Sequence, residues 1–207
     1  MAQYGFYFDC TRCTGCKTCE LACKDYKDLG TEILFRKIYD YEGGEWAQGD
    51  NDTWTTSAFV YHVSEACNHC VMPACLAVCP VDAIVKDGDN GLVAIDAELC
   101  IGCGSCVTAC PYAVPKMDAE AQQARKCDGC FDRLAEDRQP ICVEACPLRA
   151  LEFGDIEALR SKYGDLAQVP PLADPDQTAP SLVIKSCPAV EGPALSTGFV
   201  ANELEVA

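Results

Sequence analysis

Sixteen of the 18 cysteines in this 207-residue chain fall into four short runs, and no other feature restricts the fold as strongly. The first run is Cys13, Cys16, Cys19 and Cys23. The second is Cys67, Cys70, Cys75 and Cys79. The third is Cys100, Cys103, Cys106 and Cys110, and the fourth is Cys127, Cys130, Cys142 and Cys146. Pro80, Pro111 and Pro147 follow the last three runs directly, whereas Lys24 follows the first. Each proline fixes φ and removes a backbone donor, which helps turn the chain away from the run.

The first and third runs have the spacing C-x2-C-x2-C-x3-C, the bacterial ferredoxin pattern for a 4Fe–4S cluster. Three thiolates two residues apart can wrap three irons of one cube. The fourth cysteine points the other way and serves the second cluster of a pair. The runs also repeat in an A-B-A-B order. Asp9…Cys13-Thr-Gly15-Cys16 matches Asp96…Cys100-Ile-Gly102-Cys103. Pro73-Ala-Cys75…Cys79-Pro80 matches Pro140-Ile-Cys142…Cys146-Pro147. Such internal duplication is the main organising signal of the sequence.

The repeat also sets the frame. Cys10 stands three residues before Cys13, but its counterpart in the third run is Ala97, which has no ligand atom. Cys10 and the isolated Cys187 are therefore read as non-ligands, with Cys187 a free thiol. Two other uses of cysteine fit less well. The N-terminus has no basic segment followed by an apolar one, so a secretory leader is not expected and a disulfide framework lacks its usual setting. Zinc favours self-contained sets of four ligands, which does not account for triplets with a remote fourth cysteine. Four clusters require four sulfurs each, and the runs supply them.

A formal net charge of −16 argues against nucleic acid, whose binding rests on clustered Lys and Arg. With only His62 and His69, most histidine-based metal sites and acid–base schemes are excluded. Leu99 to Pro115 carries no charge, but it is short for a membrane span and interrupted by prolines and cysteines, so it reads as a metal-binding loop. No direct membrane span is expected. No dinucleotide fingerprint and no nucleophile–base pair stands out, so the protein reads as non-catalytic.

Ile33 to Tyr41 and Thr53 to Val63 read as a β-hairpin with a long polar tip around Gly43-Gly44. Trp46 and Trp54 sit at that tip, either packed on the hairpin or facing a partner. Ile84 to Ile95 reads as a short hairpin turning at Asn90-Gly91. Asp155 to Tyr163 reads as a short helix with Asp155 as cap and Gly164 as stop. The proline-rich segment from Val169 onward is expected to lie along another protein. His69, inside Cys67-Asn-His-Cys70, reads as a neighbour of a ligand or a surface residue. Arg12, Lys17, Lys126 and Arg149 read as solvated charges or as partial compensation of cluster charge.

Gln3-Tyr-Gly-Phe-Tyr-Phe-Asp9, the stretch Cys13 to Leu29, Cys67-Asn-His-Cys70, Pro140 to Gly154 and Thr197-Gly-Phe-Val-Ala-Asn202 resemble the iron–sulfur subunit of the dimethyl sulfoxide reductase family. The resemblance runs nearly end to end. It implies a complex with a molybdopterin catalytic subunit and an integral membrane anchor that oxidises menaquinol. It also implies the pairing of runs. One cluster takes Cys13, Cys16, Cys19 and Cys146, and a second takes Cys127, Cys130, Cys142 and Cys23. A third takes Cys67, Cys70, Cys75 and Cys110, and a fourth takes Cys100, Cys103, Cys106 and Cys79. Because Cys103 is present, four cubes are expected, with no 3Fe–4S cluster.

The fold class expected is α+β, with two bacterial-ferredoxin-like double-cluster units, an inserted β-hairpin and an extended C-terminal tail. Residues 1–24 and 116–154 form one unit and 64–115 the other. Residues 25–63 are the insert, and 155–207 a short helix and partner-binding tail. The expected function is electron transfer from the quinol-oxidising anchor to a subunit reducing dimethyl sulfoxide or related S- or N-oxides. The alternatives are the reverse relay in a formate dehydrogenase- or hydrogenase-type complex, and an iron–sulfur sensor or assembly protein. The expected location is peripheral at the cytoplasmic membrane, on the periplasmic face by co-export, with the cytoplasmic face as the alternative.

Overall fold

The computed structural model describes residues 2–206. Met1 and Ala207, the ends of the expected outer segments, lie outside the described residues. The first half contains β1 (Tyr4–Asp9), α1 (Thr18–Tyr26), β2 (Lys37–Gly43), β3 (Trp46–Gln48), β4 (Trp54–Thr56) and β5 (Phe59–Glu65). It continues with α2 (Ala74–Ala77), β6 (Ile84–Lys86), β7 (Val93–Ile95) and α3 (Ser105–Ala109). The second half contains β8 (Lys116–Asp118), β9 (Gln123–Arg125), α4 (Phe131–Leu134), α5 (Ile141–Glu144), β10 (Leu151–Asp155) and α6 (Ile156–Tyr163). The last elements are β11 (Leu182–Lys185), β12 (Phe199–Val200) and α7 (Glu203–Val206).

β1 is the centre of a three-stranded sheet, antiparallel to β10 and parallel to β11. Successive side chains of a strand point to opposite faces, and β1 is covered on both. Phe6 and Phe8 enter the main core with Leu151, Phe153 and Ile184, while Tyr7 packs with Ile156, Leu159 and Val183 on the α6 side. Asp155 caps α6 by accepting the Ala158 N–H at 3.0 Å, and Gly164 follows the helix. Gly5 has no room for a side chain, because a Cβ there would lie 2.2 Å from the Ser181 carbonyl oxygen.

The insert forms a second sheet in the order β12-β2-β5, and the antiparallel pair β3–β4 projects from its tip. Trp46 and Trp54 are 66% and 58% exposed there, so neither is packed away on the hairpin. The short pairs β6–β7 and β8–β9 flank the middle of the sequence.

The C-terminal segment, expected to lie along another protein, packs against this one. It completes both of the protein's own larger sheets. β11 pairs with β1, and Leu182, Val183 and Ile184 are buried. β12 pairs with β2, and the Asn202 side chain accepts from the Asp40 N–H at 2.9 Å and donates to the Ile38 carbonyl at 2.8 Å. The physical reason is that β1 and β2 would otherwise each present an open edge of unpaired backbone groups.

Candidate metal centres

Twelve of the sixteen run cysteines converge on three voids, and short helices explain how. α1 carries Cys19 and Cys23 and packs against α5, which carries Cys142 and is followed by Cys146. α2, with Cys75, packs against α3, with Cys106, in the same way. Four residues of helix advance the backbone about 6 Å, so the last cysteine of the second and of the third run lines a different void from the first three.

Cys13, Cys16, Cys19 and Cys146 line one void. Cys67, Cys70, Cys75 and Cys110 line a second. Cys79, Cys100, Cys103 and Cys106 line a third. The remaining four are all buried and adjacent. Burial first, then the thiols of Cys127, Cys142 and Cys130, push the Cys23 thiol well above its ordinary range.

Gly15 and Gly102 occupy the same position of the repeated frame, and both have left-handed backbone, at φ +66° and +69°. Glycine adopts that conformation without steric cost, so it lets the loop turn between the first two cysteines of its run.

No acidic side chain or imidazole lines any of the three voids. Among the described residues no three His, Cys, Asp or Glu side chains approach closely enough to hold a single ion. Four soft sulfurs spread around a void suit a polynuclear iron–sulfur group better than one metal ion. The donor set therefore fits the cofactor that the motifs imply.

Comparison with known proteins agrees. A 4Fe–4S dicluster domain model matches residues 58–156, and a 4Fe–4S binding domain model matches residues 11–27. The sequence is 52% identical over 206 residues to the B subunit of the anaerobic dimethyl sulfoxide reductase of Haemophilus influenzae, covering 100% of both. It is 55% identical over 204 residues to YnfG, a probable anaerobic dimethyl sulfoxide reductase subunit of Escherichia coli, covering 99% of this protein and 98% of the relative. The protein belongs to the family of anaerobic dimethyl sulfoxide reductase iron–sulfur subunits. A more distant likeness, 32% over 166 residues, is to the formate dehydrogenase-O iron–sulfur subunit of Escherichia coli, covering 74% of this protein and 53% of the relative.

In this iron–sulfur subunit the spaces between cysteine groups hold buried cations. Arg36 is 2% exposed. Its Nη1 donates to the Ser64 hydroxyl at 3.0 Å, but among the described residues Nε and Nη2 have no hydrogen-bond partner. Burial works against its charge, yet the sulfurs of Cys142, Cys19, Cys127 and Cys23 outweigh that and hold the guanidinium above its ordinary value. Arg36 thus lies between the Cys13 group and the Cys127 group. An isolated buried charge is costly, so anionic groups on both sides account for its unpaired nitrogens.

Lys126 is also buried, not solvated. Its Nζ lies 3.4 Å from Cys67 Sγ and donates to the carbonyls of Cys127, at 2.9 Å, and Val93. The fully buried His69 accepts the Val93 N–H on Nδ1 at 3.0 Å, which places its own hydrogen on Nε2, 4.0 Å from Cys127 Sγ. Lys126 and His69 therefore sit between the Cys127 group and the Cys67 group. Lys37, buried beside Glu65, donates to the Tyr112 carbonyl at 3.2 Å, near Cys110. By contrast, Arg12 is exposed, Lys17 pairs with Glu205, and Arg149 donates to the Cys146 carbonyl.

Sequence reasoning alone does not bring Arg36 and Lys37 into the site. The one available signal is a pair of cations directly after the apolar Ile33-Leu-Phe35.

Proposed function

We propose that this protein holds four 4Fe–4S clusters and relays electrons between a membrane subunit that oxidises menaquinol and a molybdopterin subunit that reduces dimethyl sulfoxide or a related S- or N-oxide. Each such cluster, when bound, takes up and returns one electron and leaves no open iron for a substrate, so the subunit itself is non-catalytic. The proposed ligand sets are Cys13, Cys16, Cys19, Cys146; Cys127, Cys130, Cys142, Cys23; Cys67, Cys70, Cys75, Cys110; and Cys100, Cys103, Cys106, Cys79. The proposed division into two double-cluster units, residues 1–24 with 116–154 and residues 64–115, follows from these sets.

One observation supports this reading: shared neighbours connect the four cysteine groups in the order Cys13, Cys127, Cys67 and Cys100. Arg36 links the Cys13 group to the Cys127 group. Lys126 and His69 link the Cys127 group to the Cys67 group. Cys75 of the Cys67 group shares a small core with Cys106 of the Cys100 group. All four cysteines of the Cys127 group are buried, whereas Cys16 and Cys103, in the two end groups, are exposed. The hydroxyls of Thr18 and Ser105, each at 3.4 Å, hold those two thiols below their ordinary range. A chain of adjacent groups with an accessible cysteine in its first and last members suits a conductor between two partners.

The complex is proposed to sit at the cytoplasmic membrane, with the periplasmic face favoured by the family resemblance and the cytoplasmic face as the alternative. Among the described residues no helix is long and apolar enough to cross a membrane, so contact with the bilayer goes through the anchor subunit. The formate dehydrogenase-like relative supports a second reading, the same relay run toward quinone.

Anaerobically isolated complex is expected to contain about sixteen iron atoms per copy of this subunit. A menaquinol analogue is expected to reduce the clusters, and dimethyl sulfoxide to reoxidise them. Markedly fewer irons would overturn the cluster count. Reduction by formate but not by the quinol would reverse the direction.

We also propose that the β3–β4 tip docks a partner subunit through Trp46 and Trp54. Tryptophans at the centre of an interface often contribute about 2 kcal/mol or more each. Trp46→Ala with Trp54→Ala is expected to weaken co-purification of the other subunits at least about tenfold while iron content stays unchanged. Unaltered assembly would remove the tip from the interface.

A further inference from the structure

We propose that Cys10 and Cys187 are a disulfide-forming pair that fastens the C-terminal segment to the first strand. Neither lines a void or belongs to a run. Both are buried in the main core, at 4% and 7% exposure, beside Tyr61 and Ile184. Their sulfurs lie 2.9 Å apart although 177 positions separate them in sequence. That is within an ångström of a covalent S–S distance.

The backbone brings them together independently of the sulfurs. Cys10 follows β1 and Cys187 follows β11, the parallel neighbour, in a register that pairs Asp9 with Lys185. The Cys10 N–H donates to the Lys185 carbonyl at 3.0 Å, and the Cys187 carbonyl accepts from the Val190 N–H at 3.0 Å. Both ends of the prospective bond are thus held by main-chain contacts.

The chemistry is thiol–disulfide exchange with a small-molecule or protein disulfide as oxidant. One thiolate attacks the oxidant's S–S bond and releases one of its sulfurs as a thiol. The second thiolate then attacks the mixed disulfide, forms the Cys10–Cys187 bond and releases the other oxidant sulfur. The two protein thiols are oxidised by two electrons, and their two protons end on the two oxidant thiols. The bond would close a ring of most of the polypeptide, and long rings restrict the unfolded state most. It also withdraws Cys10, which precedes Cys13 at the same two-residue spacing as the run itself, from competition for iron. The bond is independent of the direction of the electron relay and of the identity of the partners.

Trypsin separates this pair from the other sixteen cysteines. Cys10 falls in the peptide ending at Arg12, and Cys187 falls in the peptide beginning at Ser186. Anaerobically isolated complex is treated with oxidised glutathione, denatured in acid with an alkylating agent, digested and analysed by mass spectrometry. The two peptides are expected as a linked species, lighter by two hydrogens than their sum, in the majority of molecules and with full iron content. Recovery of both as alkylated thiols, or of either as a stable glutathione adduct, would overturn the proposal. As a second measure, a thiol reductant should lower the unfolding midpoint of the oxidised wild type but not that of Cys10→Ser with Cys187→Ser. Equal midpoints with and without reductant in the wild type would deny the bond its fastening role.

Discussion

Replacing Cys146 by serine is expected to remove or distort the cluster signal that belongs to Cys13, Cys16 and Cys19, at the far end of the sequence. Cys146 lines the same void as those three and lies in the core with Phe8 and Ile38. Its sulfur accepts the Ala150 N–H at 3.3 Å, so its position is fixed by the backbone as well as by any metal. The measurement is EPR of the reduced complex with iron analysis, using Cys130→Ser as reference for the Cys127 group. Loss of the whole group would lower iron by about a quarter. A serine that still ligates would shift the signal instead. A change confined to the signal that Cys130→Ser affects would refute the crossed ligand set. Because metal binding supplies much of the folding free energy in loop-rich metal domains, the variant should also unfold earlier.

Arg36→Met is expected to lower the reduction potentials of the two groups that flank it while leaving iron content intact. Reduction adds negative charge, and a neighbouring cation favours it. A unit charge about 8 Å away at an effective dielectric near 20 contributes about 2 kcal/mol, or on the order of 100 mV for one electron. Arg36→Lys keeps the charge and should restore most of the potential, which separates charge from packing over Phe6, whose ring centre is 4.6 Å from the guanidinium carbon. The Cys67 and Cys100 groups should move little. Redox titration followed by EPR gives the answer, and unchanged potentials in Arg36→Met would show that the cation does not act on the clusters.

The elements most legible in the sequence are those whose information is local. Cysteine spacing encodes the loop around each void, because covalent geometry limits how far two residues can reach. Asn90-Gly91 marks the β6–β7 turn, and Asp155 and Gly164 mark the ends of α6, because cap and turn chemistry act over a few residues. What is not legible depends on distant parts of the polypeptide. A charge beside apolar residues, as at Arg36, reads as solvated until the sulfurs that surround it are placed. For Lys126 the sequence leaves a solvated charge and compensation of cluster charge open for the same reason, and the structure encloses it between two cysteine groups. Leu182 to Lys185 looks like a short apolar patch among prolines, and only the open edge of β1 gives it a partner. Cys10 and Cys187 offer no local signal at all.

The position of β11 beside β1 has a consequence for biogenesis. β1 is flanked by β11, which lies far along the sequence, so the sheet beneath the Cys13 group cannot close until the polypeptide has been made as far as Lys185. Until then the loops that carry its sulfurs hang from an unfinished scaffold. The order of assembly is thereby set by topology: that half cannot seal before β11 arrives, which leaves an interval in which a maturation factor can reach it.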